Sequence, residues 1–502
     1  MTMNNTDEEL NYQPGLFTPD WESFRQHYQV PDWFRDARVG IWVHASPQDA
    51  GVKGDWYARL LYEEGSRMYK HHLEHFGHPS VFGYKDLCNE WTLDEWDPDE
   101  MMALYKRAGA AFFVGMANHH CNFDMWDSRH QEWNSVNIGP KRDVLGEWKA
   151  AADKYGLRFG ASIHAINSWG WFDPGRAADK NGPLKGVPYD IAAASKADGA
   201  GKWWEGFDPH ELYGPPHEPG EDGDPPSREY MLKFFNRYKD LIERYDLEYA
   251  YWDCHYQPGS WRPFLRFNDT LPADAKRALR ETPYLNMAKT AIAHLYNFSM
   301  KRNGGKLEAV TTLKSVPEAD RGALVEDYEF HTPDTILPHV WERGYGLGGW
   351  HYAPGQYKEK RTREALTLLV DVVSKNGVFL MNVPMSPRGR HDPNALETLR
   401  EIGDWMAVNG EAIRGSNPWT TFGRGNLRYT RKDDAVYVFV PVDELEPEMR
   451  FDDFGSNTLD IRSCDCLGVE APLTWEQTPE SLRITLPEAA TSETFQVFRL
   501  RI

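Results

Sequence analysis

Short apolar runs alternate with amphipathic stretches between residues 38 and 412. RVGIWVHA (38–45) is apolar up to a terminal histidine and reads as a buried strand. Asp97, Pro98 and Glu100 then give a helix cap, a first-turn proline and an acid three residues after the cap. Met101, Leu104 and Ala108 follow on one stripe, and Gly109 stops the helix. AAFFVGMANHH (110–120) is a second strand, RDVLGEWKAAADKYG (142–156) a helix, and LRFGASIHA (157–165) a third strand. SREYMLKFFNRYKDLIERYD (227–246) is a helix that leads into LEYAYWD (247–253), the fourth strand. LEAVTTLK, ALVEDYEF, a helix over 357–376, GVFLMNVP and a helix near 394–412 continue the alternation.

Strands alternating with helices imply a parallel sheet covered by helices, an α/β fold. Strands apolar on both faces suit a doubly wound sheet or a (β/α)8-like TIM barrel. No glycine-rich phosphate loop follows the first strand, and polar residues gather at the C-terminal strand ends, where barrels keep their chemistry. The barrel is therefore expected over 31–415, after an N-terminal extension (1–30). Beyond Trp419 the period changes to two, in LRYTRKDDAVYVFVPV, LRITLPE and TFQVFRLRI, so 416–502 reads as a C-terminal antiparallel β-sandwich. The Gly-, Pro-, Asp- and Lys-rich segment 171–226 is longer than a connector needs and reads as a lid or binding loop, or else as a surface insertion.

Composition narrows the partners. A net charge of −20 over 502 residues disfavours nucleic acid and anionic membranes. Twenty Trp, 24 Tyr and 24 Phe suit carbohydrate, whose C–H faces lie on aromatic rings, although a large core alone would also use them. The five cysteines suggest no disulfide framework, since Cys464 and Cys466 are too close to bridge without strain. The acidic start MTMNNTDEELNYQPG lacks an apolar signal region, and no run has membrane-spanning length, so a cytoplasmic location is expected.

Four strand ends carry His44, His119–His120, His164 and Asp253. A metal site is one reading, but an adjacent His pair begins on opposite strand faces unless the chain bends there. Carboxylate chemistry is the other, with Asp253 as one member of a pair and with His44, His119, His120, Trp56 and Trp252 as uncharged hydroxyl-binding groups. His71, His72, His75 and His78 read as a solvated helix surface.

Several strings occur in order along the chain: WFRDARVGIWVH (33–44), DWY (55–57), AGAAFFVGMANHHCNFDMWDS (108–128) and SVNIGPKRDVLGEW (135–148). GLRFG (156–160), YWD (251–253), LVDVVSKNGVFLMNVP (369–384) and IGDWMAVNGEAIRGSNPW (402–419) follow. Together they resemble glycoside hydrolase family 29, the retaining α-L-fucosidases. The resemblance implies sugar-binding roles for His44, His119, His120 and Trp56, and a nucleophile at Asp253. It also implies an acid/base glutamate at Glu326 or Glu329, with Glu329 preferred as nearer the end of its strand. His164, Trp252 and Trp350 complete the candidate sugar-binding set. No cofactor or metal is implied, and the partner would be a fucosylated oligosaccharide or polysaccharide, with a homo-oligomer open.

The chain departs from the family pattern at Ala45, Ser46, Cys121, Asn122 and Ser162, near the expected sugar. A shifted glycone, or a looser site reaching the 171–226 loop, is therefore expected. A carbohydrate-binding protein without catalysis, and a metal hydrolase, remain as alternatives on the same fold.

Overall fold

The structure is a computed structural model that describes residues 10–165, 168–214, 228–255, 286–357, 359–486 and 492–502. Eight parallel strands close a barrel in sequence order: β1 (Val39–Val43), β2 (Phe112–Asn118), β3 (Arg158–Ile163), β4 (Tyr249–His255), β5 (Val310–Lys314), β6 (Val325–Asp327), β7 (Trp341–Gly346) and β8 (Gly377–Asn382). β1 pairs with β2 on one side and with β8 on the other, which closes the ring. Outside it run α1 (Pro98–Arg107), α2 (Val144–Lys154), α3 (Arg228–Tyr245), α4 (Asn286–Arg302), α5 (Thr362–Ser374) and α6 (Pro393–Asn409). β6 has only three residues, and residues 328–340 connect it to β7 without a helix.

Local chemistry sets these boundaries. The Asp97 side chain accepts from the Asp99 and Glu100 amides at the start of α1, and Asp143 accepts from Gly146 in α2. The buried face of α1 is Met101, Met102 and Tyr105. Leu104 lies half-buried, so the stripe is rotated slightly from the one read in sequence.

Period two sorts each strand between two cores. Trp42, Phe112, Val114, Tyr249, Tyr251 and Val378 fill the barrel, while Ile41, Phe113, Ala250 and Trp252 join the helix-side cluster. Phe34 plugs the lower end of the barrel, its ring 5.5 Å from Phe112 and 5.9 Å from Tyr249. Gly40 leaves space there, because a Cβ would stand 2.2 Å from the Phe112 ring.

Residues 10–30 are built into the barrel. Phe17 and Phe24 are buried against Tyr296 of α4, and Asn297 exchanges hydrogen bonds with the backbone of Phe17. Beyond the barrel stand a five-stranded and a three-stranded antiparallel sheet, which enclose their own core around Val438, Phe451, Ile484 and Phe498. They dock on α5 through Arg428 and Asp371 (2.6 Å) and on α6 through Trp405 and the Phe495 carbonyl (3.4 Å).

The described part of the insertion, 171–214, is a packed layer. Its Asp190 accepts from Tyr62 at 2.8 Å and from Lys85 at 3.0 Å. His78 lies 3.2 Å from Asp179, and His72 is buried with its two nitrogens on the Tyr57 hydroxyl and the Phe82 carbonyl. This corrects the reading of 71–78 as a solvated surface. Of the four histidines only His71 and His75 keep open edges, because Tyr57 and Phe82 cover His72 and the insertion's Asp179 covers His78. Residues 215–226 of the expected loop lie outside the described residues.

Candidate active site

The mouth of the barrel brings together His44, His119, His120, His164 and Asp253. The adjacent pair can share one site because the chain bends. Strand pairing shifts between Met116 and Asn118, and a turn from the His119 carbonyl to the Asn122 amide follows, with Asn122 at φ 66°. The rings of His119 and His120 end 4.4 Å apart, and that of His164 lies 5.0 Å from His119.

Three of the four rings, His44, His119 and His120, are held from behind. Asn382, ending β8, donates to the Gly349 and Trp350 carbonyls, so its Oδ1 is free to accept from His44 Nδ1 at 2.7 Å. His44 Nε2 then remains an acceptor. The Gln48 amide nitrogen sits 3.2 Å from His119 Nδ1 and 2.9 Å from His351 Nε2, while its Oε1 accepts from Ala58. The Nε2–H of His119 is then the donor, 3.6 Å from Asp55. Burial, followed by the neighbouring histidines, pushes His44 and His119 well below the usual imidazole range. Burial also takes His164 down to about 4, against the pull of Asp253. These rings are uncharged at neutral pH.

Asp253 lies between two kinds of neighbour. One oxygen accepts from Lys314 Nζ at 2.6 Å, and the other lies 3.2 Å from His120 Nε2 and 3.1 Å from His164 Nδ1. The second nitrogen of His120 faces the His164 carbonyl at 2.9 Å. Burial alone would raise the Asp253 carboxyl. The Lys314 charge and the imidazole hydrogen bonds outweigh it and hold the group well below the usual carboxylate range.

Glu329 lies 3.1 Å from the same Lys314 nitrogen. It adopts the left-handed backbone region at φ 47°, and its amide donates to Asp327 at 2.8 Å. Burial, with Asp327 and Asp253 adding to it, raises the Glu329 carboxyl against the pull of Lys314. Glu326 is directed elsewhere: it accepts from the Val316 amide and from Arg321, and is buried there. Of the two candidate glutamates, only Glu329 reaches Asp253 through a shared partner.

The aromatic candidates divide. Trp56, 38% exposed with φ 63°, packs on Trp171 at 5.1 Å, and Trp171 in turn lies 4.5 Å from His120. Trp350 lies 5.4 Å from the His44 ring. Trp252 is not in the site. Its indole is fully buried against Tyr238 and Phe234 of α3, because a strand that turns Asp253 toward the mouth turns Trp252 outward.

The departures from the family pattern also prove partly remote. Cys121 is buried beside Tyr84 and Cys88, and Asn122 ties the Glu211 and Leu212 carbonyls to Arg237. Ser162 accepts from the Trp42 indole inside the barrel. Sequence reading missed Lys314, Gln48, Asp49, Asp55, His351, Asn382 and Trp171. For Lys314 the signal was present, since a lone lysine closes the apolar strand VTTLK just as Asp253 closes its own.

Among the described residues, His119, His120 and His164, and separately Asp55, His119 and His351, bring three ligand atoms within 4.8 Å of one another. Gln48 engages one nitrogen of His119 and one of His351, while Asp253 faces nitrogens of His120 and His164. The donor set suits hydroxyl groups better than a cation.

The family model described as "Alpha-L-fucosidase" matches residues 4–411. The tissue alpha-L-fucosidase of Mus musculus is 26% identical over 492 residues, covering 95% of this chain and 91% of that protein. The alpha-L-fucosidase of Dictyostelium discoideum is 24% identical, covering 94% and 92%. The crystal structure of the Thermotoga maritima alpha-fucosidase in complex with fucose superposes with a TM-score of 0.68 at 22% identity, over 96% of this chain and 100% of that one.

Proposed function

The chain belongs to the α-L-fucosidase family, and we propose that it removes terminal α-L-fucosyl residues from glycans by double displacement. Asp253 attacks the anomeric carbon as Glu329 passes its proton to the departing glycosidic oxygen. Glu329 then takes a proton from water as that water attacks the glycosyl–Asp253 ester, which returns both carboxyl groups to their starting states.

The spacing of the two carboxylates carries this reading. Oxygens that touch one nitrogen at 2.6 and 3.1 Å lie under about 6 Å apart, whereas an inverting pair needs roughly 6.5–9.5 Å for its water. The opposite pKa directions support the division of labour. Asp253 is depressed and ionised, as a nucleophile must be, and Glu329 is raised, as a proton donor must be. Lys314 favours the ionised form of both groups, so its contact with Glu329 has to loosen when the glycosidic oxygen arrives. The neutral histidines and Asp55 then bind sugar hydroxyls, with Trp56 and Trp171 against the ring.

The test is the stereochemistry of the first product. An aryl α-L-fucoside followed by NMR should release α-L-fucose before mutarotation. Release of the β-anomer first would overturn double displacement. No turnover of any α-L-fucoside would overturn the activity itself.

A further inference from the structure

The wall beyond Glu329 is built differently from the rest of the mouth. No helix joins β6 to β7, and on the outer face of β7 Trp341 and Tyr345 are buried while Arg343, between them and beside the start of α5, is only half-buried. A cavity of about 940 Å³ lies there, lined by Glu329, Phe330, Trp350, Arg343, Arg361 and Leu368 among others. Its volume is at the upper end of ligand pockets, roughly 300–1,000 Å³. Phe330 is 65% exposed, and its ring lies 6.1 Å from Trp350 in an edge-on arrangement. Glu329, at one end, marks where the glycosidic oxygen must lie, so whatever that oxygen carries leads away from the histidines and into this cavity.

Its charges are unevenly matched. Arg361 lies 3.5 Å from Glu364, Lys360 2.5 Å from Glu401, and Arg363 pairs with Asp443. Arg343 has no carboxylate within 4 Å among the described residues: it donates to the Thr332 hydroxyl, and its Nε is buried without a hydrogen-bond partner. The nearest acids are already committed. Asp371 holds Lys375 and Arg428, while Asp327 accepts from Tyr251, Glu329 and Gly344. Burial lowers the Arg343 pKa, opposed by Asp371 and Asp327. Glu359, which also lines the cavity, is exposed and acts on Arg361. A half-buried guanidinium paired with no carboxylate, lining a cavity together with Phe330 and Trp350, is matched by an oxyanion.

We infer that this cavity is the leaving-group subsite and that it takes a sugar bearing an oxyanion, with Arg343 as the residue that selects it. The inference rests on the fucosidase reading, because Glu329 defines which end of the substrate enters. A carboxylate of a hexuronic acid and a sulfate ester present the same paired oxygens, so the chemistry is shared and the source is read by experiment.

The measurement is kcat/KM of the full chain for α-L-fucosyl disaccharides whose leaving sugar is a neutral hexose, a hexuronate or an O-sulfated hexose, beside an aryl α-L-fucoside. One or both anionic disaccharides should exceed the neutral one roughly 10- to 100-fold at low salt, and the advantage should shrink as salt is added. R343Q should bring the ratio close to one, and R343K should restore part of it. If R343Q does not fold, competitive inhibition of the wild-type protein by the free anionic sugars, against the neutral hexose, decides the matter. A preference for only one anion identifies the source. Equal rates on all three disaccharides, or an anion preference that survives in R343Q, would overturn the inference. Loss of turnover on the aryl fucoside as well would instead implicate the fucosidase reading.

Discussion

The two halves of the barrel mouth follow different physical rules. The ends of β1–β4 carry His44, His119, His120 and His164, buried rings of which the first three are fixed from behind by Asn382, Gln48 and the His164 carbonyl. The ends of β5 and β6 and the helix-free connection after them carry Lys314, Asp327 and Glu329, charged groups, with Arg343 midway along β7. Asp253 is touched from both sides, by imidazoles on one oxygen and by an ammonium on the other. The uncharged rings of His44, His119 and His164 recognise one glycone without paying for charge desolvation. Charges do the proton and bond chemistry, and an open wall behind them leaves the leaving group free to vary. One half is a mould and the other a reactor.

The division breaks hardest at the boundary itself. Asp253→Gly should cost ten-thousandfold or more in kcat, about 5.5 kcal/mol of barrier, while the thermal melt stays near that of the wild type. Added azide or formate should restore part of the turnover by attacking the same carbon through the vacated space. Activity within tenfold of the wild type would remove Asp253 from its role.

Next comes the proton donor on the reactor side. Glu329→Ala should slow a fucosyl disaccharide by roughly 100- to 10,000-fold, but an aryl fucoside with an activated leaving group far less. Glu326→Ala should show no such dependence on the leaving group, because Glu326 is bound to Val316 and Arg321. The reverse pattern would exchange the two assignments.

The mould was more legible in the sequence than the reactor. β1 to β4 announce themselves because each apolar run stands beside a capped helix or a glycine stop, and their last polar residue points into the mouth. β6 shows only three paired residues, and Glu329 sits past its end in a left-handed conformation that no propensity assigns to glutamate. The pairing of Lys314 with Asp253 depends on closure between β4 and β5, and the Gln48–His351 contact spans 303 positions. Such contacts leave no local pattern. The Trp252 error was avoidable, since period two forbids neighbours on one strand from facing the same side. Cys121 and Asn122 were unreadable for the opposite reason, because the turn after His119 abandons that period.

Lys314 tests whether the two halves are coupled through charge. In Lys314→Met, both carboxyls lose the ammonium that favours their ionised forms, so both pKa values rise. The acidic limb of kcat/KM, set by ionised Asp253, and the alkaline limb, set by protonated Glu329, should therefore both move to higher pH. The bell translates upward instead of narrowing. Movement of the alkaline limb alone would mean that the histidines suffice to hold Asp253 ionised.

The smallest effect separates two tryptophans that look alike in sequence. Trp350 borders the mould at His44 and opens onto the leaving-group cavity, so Trp350→Ala should raise KM roughly two- to tenfold through lost ring contact, with stability little changed. Trp252 faces α3, so Trp252→Phe should leave kcat and KM where they are and lower stability by about 1–2 kcal/mol, a fraction of the ~3–5 kcal/mol typical of complete Trp truncation. Steady-state kinetics and a denaturant melt on the same two preparations separate the outcomes. A KM change in Trp252→Phe without loss of stability would place that indole at the sugar after all. The alternation on β4, which puts Asp253 in the site by putting Trp252 out of it, would then fail.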